Sequence, residues 1–108
     1  MERIRLSERL VFHDGSMARH RLAVTARLQT DLYCLRPGQS QAVHVHRDRD
    51  KLYVGIEGRA RIRVGKEVDW LEPGVLVVVP AGAEHGLENS TEALCVALVI
   101  VVPPPLHA

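Results

Sequence analysis

Six histidines, His13, His20, His44, His46, His85 and His107, are the side chains of this 108-residue chain whose type and spacing bear most on chemistry. Two of them form the tripeptide His44-Val45-His46. In a strand, positions i and i+2 share a face, with side chains about 6–7 Å apart at the base. Two imidazoles placed that way can converge on one cation at about 2.0–2.2 Å each. On its own the pair reads first as two exposed or core-satisfied histidines, so the context decides. The cysteines carry no such chemistry. Cys34 and Cys95 form no Cys-x-x-Cys motif, and each lies in an apolar stretch. Two reduced, buried thiols are expected.

The pair needs strands to aim it, and the chain is written in strands. Short β-branched runs alternate with turn signals at Asp14-Gly15, Pro37-Gly38, Gly58, Gly65, Pro73-Gly74 and Pro80 to Gly82. That rhythm predicts an all-β sandwich or barrel. In Arg59–Val64 the odd positions are arginine and the even ones apolar, a period of two with one wet face and one dry. Gly65-Lys66 then predicts a two-residue type II′ hairpin turn. The return strand is expected over Glu67–Leu71, with Val68 in the core and Trp70 beside it. Val75–Val79 and Ala93–Val102 are continuous apolar runs, which predict strands covered on both faces. The second of these is expected to close the sheet and to stop at Pro103-Pro104-Pro105. Further strands are expected over Arg21–Leu28 and Asp31–Arg36, joined near Gln29-Thr30. Residues 1–12 fit a helical turn or an edge strand equally well.

Length and composition set the outer limits. A chain of this length makes one domain, 1–108, with 103–108 expected to be a flexible tail. Fourteen Lys plus Arg against thirteen Asp plus Glu leave a net charge of +1. That lacks the basic footprint of a nucleic-acid binder and of a polybasic membrane anchor. Even the ten-residue run Ala93–Val102 is too short for a membrane-spanning helix. The first eight residues show no apolar leader segment, so a cytoplasmic location is expected.

Two blocks of residues place the histidine pair in a larger pattern. The first runs Gly38, five residues, His44, one residue, His46, and on to Gly58. The second runs Gly74, five residues, Pro80, Ala81, Gly82, two residues, His85, three residues, Asn89. Together they resemble the paired motifs of the cupin superfamily. The second block matches at every fixed position. The first departs at one, where the glutamate of the pattern is replaced by Lys51. The blocks span 38–58 and 74–89, about half the chain. The resemblance implies a cupin jelly-roll β-barrel of two antiparallel sheets. It implies His44, His46 and His85 as metal ligands inside the barrel mouth, with position 51 as the fourth. Asn89 is expected to fix a turn through side-chain-to-backbone bonds.

Lys51 leaves three arrangements open. A protonated lysine has no lone pair to give a metal. Three histidines can then hold the ion alone with open positions. Alternatively Asp50 supplies the carboxylate, or Asp48 does so from the loop. In the third arrangement no metal is bound, and the histidines with Lys51 line an anion pocket. In the first, the Lys51 ammonium can hold a substrate carboxylate or phosphate beside the metal. Tyr53 shares its parity and is expected to line the cavity, with space left by Gly55. His13, His20 and His107 are expected at the surface.

Three imidazoles suit a divalent ion among Fe, Zn, Mn, Ni, Co and Cu. The function that follows is a metal-binding cupin with a three-histidine site, acting on a small polar or anionic molecule by dioxygenase or isomerase-type chemistry. The alternative is a non-enzymatic small-molecule-binding or sensor cupin. A homodimer is expected, since sheet edges and the apolar C-terminal strand invite a partner chain.

Overall fold

The alternation of Arg59–Val64 is realised as drawn. Ala60 and Ile62 are buried, while Arg59, Arg61 and Arg63 are exposed. The same period-two logic builds nine strands in the computed structural model, which describes residues 1–105. These are β1 (Ala18–Val24), β2 (Gln29–Leu35), β3 (Ser40–His44), β4 (Asp50–Glu57), β5 (Ala60–Val64), β6 (Glu67–Leu71), β7 (Leu76–Val79), β8 (His85–Glu88) and β9 (Cys95–Val102). They form two antiparallel sheets, a five-stranded one in the order β1-β2-β9-β4-β7 and a four-stranded one in the order β3-β8-β5-β6. This is the expected all-β jelly roll. Among the described residues, the only helical element is the 3-10 turn Leu6–Glu8, and no helix is long and apolar enough to cross a membrane.

The five-stranded sheet is dressed on both faces. Its inner face meets the second sheet around Tyr33, Leu35, Tyr53, Ile62, Leu71 and Val99. Its outer face is partly covered by the N-terminal segment, whose Ile4, Leu6, Leu10 and Phe12 pack on Leu22, Leu32, Cys34 and Val96. Residues 1–12 therefore form a strap that carries a single helical turn, Leu6–Glu8, the first of the two alternatives, and no edge strand. Both cysteines are buried and free, as expected.

Several boundaries and faces differ from expectation. The first two strands are Ala18–Val24 and Gln29–Leu35, joined by a turn in which Thr25 N–H donates to the Leu28 carbonyl at 2.8 Å. Glutamine and threonine at 29–30 are strand residues, because their backbone groups pair with β1 and β9. Val68 is 52 % exposed, not in the core. It stands opposite Arg63 and, with Trp70, lies on the outer face of the second sheet. The Trp70 ring is stacked by the Arg59 and Arg61 guanidinium carbons at 4.2 and 4.7 Å from its centroid. β7 is covered on one face only, since Leu76 and Val78 are 56 % and 58 % exposed. β9 starts at Cys95 and lies between β2 and β4, so it is a central strand and not an edge. Its inner face is buried throughout, while its outer face runs from buried Val96 through half-buried Leu98 and Ile100 to exposed Val102.

Turn chemistry follows the sequence closely. Val64 faces Glu67 across Gly65-Lys66, with Gly65 at φ 60° and no non-glycine residue at positive φ, which is the II′ geometry. Asn89 is fully buried and works as a clamp. Its Nδ2 donates to the carbonyls of Leu35 and Ala93 at 3.1 and 2.8 Å, and its Oδ1 accepts from Thr91 N–H and Oγ1–H.

Candidate metal centre

β3 and β8 bring the three imidazoles together. His44 and His85 are direct cross-strand partners, with ring centroids 4.1 Å apart. His46 lies just past the end of β3, its ring 4.8 Å from His44 and 5.9 Å from His85. One nitrogen from each ring lies within 4.8 Å of the other two. The Pro80–Gly82 turn holds this loop in place: Gly82 N–H donates to the His46 carbonyl at 2.8 Å.

A bulge in β3 makes the arrangement possible. Gln41 pairs with Leu87 and His44 with His85, so β3 has one more residue than β8 between the two pairs. Three apart in a regular strand, positions 41 and 44 would point to opposite faces without the bulge. With it, both reach the interior, as bulges beside functional sites commonly permit. Gln41 is buried there and bridges two tyrosines. Its Oε1 accepts from Tyr53 Oη at 2.7 Å, and its Nε2 donates to Tyr33 Oη at 3.3 Å.

The hydrogen bonds of the rings set their tautomers. His44 Nδ1 lies 2.8 Å from the Ala42 carbonyl and His85 Nδ1 lies 3.0 Å from the Ala83 carbonyl. A carbonyl only accepts, so each Nδ1 carries the proton and each Nε2 presents a lone pair. Metal-binding histidines are oriented by this kind of outer bond. His85 Nε2 is buried and has no hydrogen-bond partner among the described residues. Burial holds all three rings neutral. It pushes His46 and His85 down to about 4, aided by the Lys51 charge, and lowers His44 against the opposing pull of the Ala42 carbonyl. Neutral imidazole with a free lone pair is the form a metal requires.

Lys51 is 5 % exposed, and its Nζ lies 3.3 Å from His44 Nε2. Burial lowers it to about 8, helped by Arg19 and Arg49 and opposed by Asp31. As an ammonium it donates to the lone pair that a metal would use. The donor set thus fits a divalent ion, provided that Lys51 turns away from His44.

The other expectations divide. Asp50 is not among the converging groups: its Oδ1 accepts from Ala81 N–H at 2.8 Å, so it supports the Pro80–Gly82 turn. Asp48 is exposed and pairs with Arg49 at 3.1 Å. Tyr53 lies beside the trio, its ring 6.1 Å from that of His85, but it is 1 % exposed with its hydroxyl committed to Gln41. Gly55 leaves no cavity space, because an added Cβ would overlap the Glu72 backbone. His13 is exposed, whereas His20 is half-buried with Nε2 3.4 Å from an Arg9 guanidinium nitrogen. His107 lies outside the described residues.

Two cavities open onto the trio, and they share Arg19, His46 and Lys51. One, of about 510 Å³, lies on the Met17, Ser40 and His44 side. The other, of about 450 Å³, lies on the Arg21, Asp31 and Arg49 side. Arg19, Arg21, Gln41 and Asp31 are not among the site residues expected from the sequence. The alternation Arg19-His20-Arg21-Leu22 was a usable signal for the two arginines. Nothing in the sequence announces the bulge that brings in Gln41.

A two-sheet antiparallel barrel with three histidines converging inside defines a class, the double-stranded β-helix proteins. Residues 31–101 match the model of the Cupin domain, and the chain belongs to that family. It is 36 % identical over 77 residues to the uncharacterized protein SCO3923 of Streptomyces coelicolor, which covers 71 % of each chain. Among solved structures it is similar to TT1209 from Thermus thermophilus, at 39 % identity and a TM-score of 0.94, over 97 % of this chain and 100 % of that one. It is also similar to a sugar phosphate isomerase of the cupin superfamily from Silicibacter pomeroyi. There the identity is 26 % and the TM-score 0.67, over 73 % of this chain and 52 % of that one.

Proposed function

We propose that the protein is a metal-dependent enzyme that holds one divalent ion on His44, His46 and His85 and acts on a small anionic molecule by isomerase-type chemistry. The observation that carries this reading is the buried, partnerless Nε2 of His85, beside two further neutral rings. A buried lone pair without a partner costs about 1–3 kcal/mol, and an ion shared by three rings removes that cost. A bound divalent ion supplies Lewis-acid polarisation of a substrate carbonyl. The chain's own groups do the rest. Lys51 presents an ammonium at the edge of the trio for an acidic substrate group. Tyr53, Gln41 and Tyr33 form a hydrogen-bonded floor that fixes the cavity shape and excludes water below the rings. Tyr53 acts in this as a positioning residue through Gln41. The similarity to a sugar phosphate isomerase is in keeping with isomerisation rather than oxygenation.

A second reading, ligand binding without turnover, draws on the lack of a carboxylate in the converging group. The reading also includes a homodimer, through the outer face of β9, β4 and β7. There the exposed Leu76, Val78 and Val102 adjoin the half-buried Leu52, Val54 and Ile100. The metal reading is tested by elemental analysis of protein purified without chelator. About one divalent ion per chain is expected, lost in His85→Ala. Absence of bound metal, together with no rise in thermal midpoint on adding Zn, Fe, Mn, Co, Ni or Cu, would overturn it. Candidate sugar phosphates are then assayed with and without dioxygen. Oxygen consumption would replace the isomerase assignment by a dioxygenase one, and ligand binding unaffected by His→Ala changes would favour the second reading.

A further inference from the structure

The cavity on the β1 side of the trio carries more charge than its walls neutralise. It is about 450 Å³ and four cationic side chains line it, Arg19, Arg21, Arg49 and Lys51, against the single carboxylate of Asp31. Arg19 and Arg21 are two apart on β1 and stand opposite Tyr33 and Asp31 on β2, so both face the barrel interior. Asp31 is 4 % exposed, and both its oxygens accept from Gln29 Nε2, at 3.1 and 3.0 Å. Among the described residues it makes no ion pair with either arginine. Arg49 is already paired with Asp48. Among the described residues, Arg19, Arg21 and Lys51 are therefore left without a carboxylate partner. Arg19 is held over the Tyr33 ring, its guanidinium carbon 5.3 Å from the centroid, so its fork is oriented in advance.

Lys51 adds a condition. Among the described residues, the only hydrogen-bond partner of its Nζ is His44 Nε2. A metal on that nitrogen would leave a buried ammonium with no acceptor, which is costly unless an anion replaces it.

We propose that this cavity is an anion subsite, in which Arg19, Arg21 and Lys51 donate to a carboxylate or phosphate group. Resting on the reading above, this group belongs to the molecule whose other end meets the trio. The planar guanidinium fork matches both carboxylate and phosphate oxygens, and the volume suits a small anion or one end of a metabolite-sized ligand. Because Lys51 touches both subsites, anion and metal assist each other, and the coupling is equal in both directions.

The test is calorimetric titration of chelator-stripped protein with inorganic phosphate and, separately, with malonate. At least one is expected to bind, more weakly at high salt. Phosphate preferred over malonate assigns the group as a phosphate, and the reverse assigns it as a carboxylate. Arg19→Met with Arg21→Met is expected to weaken the preferred anion about tenfold or more, while Arg19→Lys with Arg21→Lys retains part of it. Both arginines are exposed, and circular dichroism checks the fold of each variant. Binding of neither anion below about 10 mM, or equal binding by the methionine variant, would overturn the inference. Should the methionine variant fail to fold, an unchanged affinity in the lysine variant together with no salt dependence would overturn it as well. The stripped protein separates this outcome from the metal reading. Anion binding that depends on the arginines, in a protein that takes up no metal, leaves the subsite standing and removes the metal.

Discussion

A lysine ammonium and a divalent cation compete for one lone pair at His44 Nε2. Replacing Lys51 by glutamate removes the competitor and adds a carboxylate ligand at the position the family pattern reserves for one. Lys51→Glu is expected to tighten Zn binding to stripped protein about tenfold or more by calorimetry, with Lys51→Met between the two. The same change is expected to weaken anion binding. The neutral rings have a second consequence. His46 and His85 titrate near 4 when folded and near 6.5 when unfolded. Between these values the unfolded chain binds protons that the native one does not, so stability rises with pH across that window. Stripped wild-type protein is expected to lose thermal midpoint steadily from pH 6.5 to 4, and His46→Ala with His85→Ala to give a flatter curve. The trio was legible in the sequence because ring type and spacing carry its chemistry directly. The Lys51 contact was not, since a four-carbon side chain has too many rotamers for parity to aim its tip.

Strand identity was legible where one face is wet and the other dry, as in β5, and where glycine and proline mark both ends. It failed where an apolar residue faces water. Val68, Leu76 and Val78 read as core because hydrophobicity alone names no sheet face, and all three lie on outer faces. Arg19 of the anion subsite was missed because β1 begins three residues before its predicted start, leaving it outside any strand. The β3 bulge has no composition signal at all, yet it decides where His44 points. Deleting Val43, one of the two residues inside the bulge, is expected to restore regular pairing with Gln41 and His44 two apart and still on one face. A folded deletion variant should therefore keep metal binding, read by calorimetry alongside circular dichroism. The Asn89 clamp was legible from its place in the second motif. Asn89→Ala leaves the Leu35 and Ala93 carbonyls without that donor and is expected to cost about 2–4 kcal/mol by urea unfolding.

For the molecule as a whole, the apolar band across β9, β4 and β7 is the surface that folding leaves uncovered. β7 is an edge strand, and exposed apolar edges favour pairing with another chain. Light scattering is expected to give twice the chain mass, and Leu76→Glu with Val78→Glu to give the single chain mass with the fold kept. A wild-type protein of single chain mass would remove the dimer. The fold also sorts the chain's three indole and phenol chromophores into two addresses. Its one tryptophan, Trp70, sits on the outside of the second sheet between two arginines, while both tyrosines pack in the barrel against Gln41, with Tyr53 also beside His85. Indole emission should thus report on the outer wall and stay silent during ligand uptake. Near-ultraviolet ellipticity of the tyrosines becomes a built-in optical gauge of the interior, with no dye or label required.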